Sequence, residues 1–122
     1  MLEIVEGLPE TVLGFSAKGR VTRRDYDEVL VPKVREALRR YDKIRLYYEL
    51  GTALDGINPG AMWEDFKIGV GHLSRWERAA VVTDVDWIRH AVNAFRFLMP
   101  GQMRVFSTGE AAAARSWITA AG

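Results

Sequence analysis

The chain opens on Leu2-Glu3-Ile4-Val5-Glu6, where apolar and acidic residues alternate as they do in a half-buried strand. Gly7 and Pro9 mark residues 7–10 as a turn. A second strand over 11–18 follows so closely that an antiparallel hairpin is the economical arrangement. The period then changes from two to helical. Thr22 and Asp25 have the spacing of a capped helix start, and Tyr26, Leu30, Val34, Leu38 and Tyr41 recur along one side of the helix that follows. Pro32 falls inside this stretch, where its missing N–H predicts a kink. Arg23–Asp27, Arg24–Glu28 and Glu36–Arg40 are opposite charges spaced i,i+4, which predicts a solvated face.

Beyond it, 43–50 (KIRLYYEL) reads as an interior strand, and 51–56 as a Gly-rich loop. Asn58-Pro59 starts a second helix, expected to reach about Ser74. Residues 77–83 form a fourth strand around Ala79-Ala80-Val81-Val82. Thr83-Asp84 is expected to cap a third helix over 85–98, which Pro100-Gly101 ends. Residues 102–106 are a fifth strand, and 109–120 an Ala-rich last helix. The order β-β-α-β-α-β-α-β-α predicts one α/β domain over 1–122: a mixed five-stranded sheet, mostly parallel with an antiparallel edge, and about four helices.

A length of 122 residues suits such a domain. The absence of cysteine removes disulfides, zinc ribbons and thiol catalysis, and permits a reducing compartment. No basic-then-apolar leader is visible at 1–17, and no apolar run approaches the roughly 18 residues that cross a bilayer. The formal net charge of +1 hides an asymmetry. Residues 18–45 hold ten Lys/Arg and five Asp/Glu, a balance of +5 that leaves −4 elsewhere. That segment suits an anionic head group or an acidic partner. Its cations are not interleaved with aromatics as in a nucleic-acid reader, so no nucleic acid is expected.

Catalytic chemistry is sparse. Asp86 lies one turn before His90, a spacing that permits an acid–base pair, but no nucleophile is fixed beside them. His72 and His90 stand on separate helices without metal-ligand spacing, so neither metal nor cofactor is expected. Gly69 and Gly71 fall within a helical pattern, not after a strand, and make no phosphate loop. The informative feature is apolar surplus. Met62, Phe66, Val70 and Leu73 form one face of the second helix, and Trp63 lies to its side. On the third helix Ile88, Ala91, Val92, Phe95 and Leu98 make the core stripe, flanked by Trp87 and Phe97. Together with Met99 these shoulders would form a ligand cleft, a partner surface, a membrane patch or an isologous dimer contact.

Several stretches together resemble the SpoIIAA-like family of small bacterial proteins within the STAS/CRAL-TRIO-like superfamily. They are Tyr26-x-x-x-Leu30-x-Pro32, Asp42-Lys43-Ile44-Arg45-Leu46, Gly60-Ala61-Met62-Trp63-Glu64-Asp65, Val81-Val82-Thr83-Asp84-Val85-Asp86-Trp87-Ile88, and the run from Phe97 to Gly101. The resemblance implies a STAS-like fold and a cytoplasmic, non-enzymatic binding or regulatory module, with a protein partner or an apolar, lipid-like ligand. Its runner-up is a protein peripheral to the inner face of the membrane, and after that a small-molecule enzyme using His90 and Asp86. STAS-type antagonists carry a phosphorylatable Ser at the start of the helix after the central strand. Here 51–60 has no Ser, and Thr52 is its one hydroxyl and the candidate switch residue.

Overall fold

The computed structural model describes residues 1–19, 22–50, 75–96 and 101–121. Five strands form one sheet in the order β1 (Leu2–Ile4), β2 (Val12–Ala17), β3 (Ile44–Leu50), β4 (Trp76–Thr83) and β5 (Gln102–Phe106). β1 runs antiparallel to β2, and β2 to β5 are parallel throughout. This is the mixed sheet that the alternation of elements predicts. Three helices are described, and the fourth expected one, 58–74, lies outside the described residues.

The first helix is built in three parts: α1 (Arg23–Asp25), a π-helical stretch over Tyr26–Leu30, and α2 (Val31–Arg40). Its start is the capping box expected at Thr22. The Thr22 N–H donates to Asp25 Oδ2 at 2.8 Å, and the Asp25 N–H donates to Thr22 Oγ1 at 3.3 Å. Pro32 does not sit in an uninterrupted α-helix. The wider π turns come directly before it, at the place where the absent Pro32 N–H and the proline ring would interrupt an α-helical ladder. Arg24 pairs with Glu28 at 2.8 Å as expected. Glu36 instead takes Arg39 at 2.7 Å, one position short of the expected partner, and Arg40 reaches Glu10 at 3.6 Å.

The sheet divides the core in two. Phe15, Ala17, Ile44, Leu46, Tyr48, Leu50, Trp76, Ala79 and Val81 face α2 and α3 (Asp86–Phe95), meeting Leu30, Val34, Ala37 and Ile88. Val12, Tyr47, Ala80, Val82 and Phe106 face the other way and meet Ala114 and Ile118 of α4 (Ala111–Thr119). Strand side chains alternate between faces, so a sheet clad on both sides reads as an almost continuous apolar run, as β3 and β4 do.

Two local features set the register. Ile44 faces Trp76, but Arg45 faces Arg78, so Glu77 is the extra residue of a bulge, and its carboxylate meets Arg45. Gly101 enters β5 so close to β4 that a Cβ there would lie 2.2 Å from the Trp76 carbonyl oxygen and 2.6 Å from that of Glu77.

Candidate functional site

At the carboxyl end of β4, Thr83 is fully buried. Its hydroxyl accepts the Val85 N–H at 3.1 Å, and its carbonyl accepts Arg89 Nη1 at 2.9 Å. The expected Thr83-Asp84 cap of α3 is therefore displaced. The residue before the helix is Val85, which offers no side-chain cap. Asp84 turns instead to the next strand end, accepting the Thr108 N–H at 3.0 Å and the Thr108 hydroxyl. Those bonds, the hydroxyl first and the N–H second, hold the Asp84 carboxyl below its ordinary value. Thr108 opens a 3-10 turn, Thr108–Glu110, that leads into α4. Ser107 caps this turn: its N–H and hydroxyl donate to Glu110 Oε1 at 2.9 and 3.0 Å, and the N–H leads in lowering the Glu110 carboxyl. The Ser-x-x-Glu spacing at 107–110 is the sequence signal of this cap, and it lies two residues ahead of the helix start that the apolar pattern alone predicts.

On α3 the outcome for each expected residue is plain. Ile88 is buried, Ala91 and Val92 are half-buried, and Trp87 packs against the helix-side core while staying partly exposed. Asp86 and His90 are both exposed, and no hydrogen bond or ion pair joins them. Met62, Trp63, Phe66, Phe97 and Met99, with Thr52 and His72, lie outside the described residues. Among the described residues no three His, Asp or Glu side chains are placed to hold a metal ion, and no helix is long and apolar enough to cross a membrane.

The opposite face holds a set of polar groups with no counterpart in the sequence reading. Tyr47 is buried under α4, and its hydroxyl donates to Glu49. Burial first, and this bond second, push the phenol above its ordinary value. The Arg115 guanidinium lies 5.5 Å from the centre of the Tyr47 ring, and 3.7 Å from Glu49 Oε1. Farther along, Trp117 sits between Arg78 and Arg104, at 5.4 and 5.3 Å from its ring centre. Arg45 donates to the Ile118 and Ala120 carbonyls at 2.9 and 2.5 Å, and Arg78 to the Trp117 carbonyl at 2.8 Å. Arg75 similarly serves the end of α2, donating to the Leu38 and Asp42 carbonyls at 2.6 and 3.0 Å. These arginines satisfy helix carboxyl ends that would otherwise lack donors.

A family model described as SpoIIAA-like matches residues 12–119. No curated protein matches the chain. Among solved structures it is similar to an uncharacterised protein of the DUF3478 family, with a SpoIIAA-like fold, from Shewanella loihica PV-4. The two chains are 24% identical, the match covers 96% of this chain and 93% of that one, and the TM-score is 0.70.

Proposed function

The chain belongs to the SpoIIAA-like family, and from that premise we propose that it is a non-enzymatic binding or regulatory module of STAS type. It takes a protein partner or an apolar, lipid-like ligand on the shoulder of α3 and the 58–74 segment, through Trp87 together with Met62, Trp63, Phe66, Phe97 and Met99. The observation that carries this reading is Trp87. It packs on the core and keeps part of its ring exposed on α3. The titratable groups at this end of the sheet and on α3 offer little for proton transfer. Asp84 and Glu110 are tied to hydroxyls and N–H groups, Arg89 to a carbonyl, and His90 is exposed with no carboxylate partner among the described residues. A partly exposed apolar ring on a helix anchored to the core suits recognition of an apolar surface. Such a module works in the cytoplasm.

Co-sedimentation with vesicles of neutral and of anionic lipid separates this reading from membrane attachment through the same shoulder. Wild-type protein that stays in the supernatant with both supports the soluble binding module. Binding to either that is lost on Trp63→Asp places the shoulder on the membrane instead.

A further inference from the structure

The two edges of the sheet are unlike and complementary. Among the described residues β1 and β5 each pair on one side only. On β1 the Glu3 side chain lies on the α4 side of the sheet. Leu2 and Ile4 lie on the α2–α3 side, opposite Ala17 and Phe15 of that core. Ile4 remains 46% exposed, one of two large apolar side chains so exposed among the described residues. On β5, Arg104 lies on the α4 side, while Met103 and Val105 pack half-buried on the α2–α3 side. β5 is also less covered than β3 or β4, with Gln102 and Arg104 exposed.

Arg104 rests on the rings of Phe106 and Trp117, 5.0 and 5.3 Å from their centres, and meets no carboxylate in ion-pair contact among the described residues. Glu3 meets Lys18 at 3.2 Å, an exposed pair that is free to exchange partners. Main-chain groups are also in place. The Val5 N–H reaches the Gly14 carbonyl and the Lys18 N–H the Met1 carbonyl, each at 2.9 Å. Residues 1, 3 and 5 therefore address β2, and the N–H and C=O groups of Leu2 and Ile4 address the open side. In a chain of L-residues, the face a side chain takes and the direction of its strand fix which side the N–H and C=O address. Met103 and Val105 lie on the same face of an oppositely directed strand, so theirs address the open side of β5.

We infer that β1 of a second copy of this chain adds antiparallel to β5, continuing the sheet from one molecule into the next. One register satisfies every group at once: Glu3 of the second copy opposite Arg104, Ile4 opposite Met103, and Leu2 opposite Val105. It sets charge against charge on the α4 side and apolar against apolar on the other. It also brings the four outward-facing residues into main-chain pairs. A shift of one residue breaks the alternation of faces, and a shift of two puts Arg104 opposite Val5 or Met1. Two β5 edges centred on each other would set Arg104 against Arg104, which disfavours that pairing. The contact is head-to-tail, so it builds chains of molecules and not a fixed dimer. It shares no residue with the shoulder around Trp87, and either can fail without the other.

Sedimentation at roughly 0.05–1 mM tests it, a range suited to a small, transient interface. The wild-type mean mass should climb with concentration, and less steeply at high salt. Arg104→Glu and Glu3→Arg should each weaken association at least about fivefold, because each turns an attraction into a like-charge contact. Mixed in equal amounts, the two variants should associate again, as should the chain that carries both changes. Thermal melts verify that each variant is folded. Trp63→Asp should associate as wild type does. Wild type that stays monomeric throughout overturns the inference, as does association indifferent to both charge reversals or left unrestored by mixing. Loss with Trp63→Asp alone overturns it too, since the contact then belongs to the shoulder.

Discussion

Arg45 and Ile118, 73 positions apart, are joined by a bond from the Arg45 guanidinium to the Ile118 carbonyl at 2.9 Å. The same side chain meets Glu77 at 2.7 Å and is mostly buried. One residue of a central strand therefore holds the end of the last helix against the sheet. Arg45→Ala should cost about 2 kcal/mol in a denaturant melt, the scale of losing charged hydrogen bonds from a part-buried site. It should also speed amide exchange at 111–119 more than in β3. Arg45→Lys should not restore it, because an ammonium cannot span the carboxylate and two carbonyls together.

Gly101→Ala is a backbone prediction. The new Cβ would meet main-chain oxygens of Trp76 and Glu77, and neither can swing away as a side-chain tip would. A loss of at least about 1–3 kcal/mol in thermal or denaturant unfolding is expected, the range of overpacked sites.

The mixed sheet and the order of elements along the chain were legible because β2, β3 and β4 are rich in apolar residues and helical patterns separate the strands from β2 onward. Positions set by tertiary contact were not. Asp84 reads as a cap of the helix two residues on, yet its partner is Thr108, whose nearness is created by the parallel pairing of β4 and β5. Glu36 and Arg40 have ideal spacing for each other, but Glu10 at the hairpin turn competes for Arg40. Arg45, Arg75 and Arg78 look like ordinary strand and loop cations until the helix ends they serve are brought beside them. Of the apolar shoulder, Trp87 falls among the described residues, and it sits on α3 where the helical period puts it.

Asp84 and Glu110 set an acid limb of stability. Their carboxyls are held below the ordinary 3.8 and 4.5, so the folded state releases protons more readily than the unfolded chain. The stabilisation is present above those ordinary values and is lost as pH falls through the lowered ones. Both groups are exposed, so the effect is small and screened by salt. Thr108→Val removes the hydroxyl bond to Asp84 and should flatten the part of the limb that begins below that group's ordinary 3.8, while the part set by Glu110 and Ser107 stays, as urea melts along an acid series would read.

Tyr47 works in the opposite sense at high pH. Its phenol is raised above the ordinary 10.0, so stability is full below that value and falls as pH rises through the raised one. Tyr47→Phe should remove this alkaline loss, and at neutral pH should cost about 1 kcal/mol for the hydrogen bond to Glu49. Melts of the two proteins at pH 7 and pH 11 check both parts.

Titration with 1-anilinonaphthalene-8-sulfonate reads whether the apolar shoulder is open to a ligand. Native wild-type protein should enhance the dye's fluorescence with a saturable curve. Trp63→Asp should abolish most of that enhancement with its thermal midpoint unchanged. Equal enhancement by wild type and Trp63→Asp, or none by either, would mean that no ligand-accepting apolar shoulder exists there.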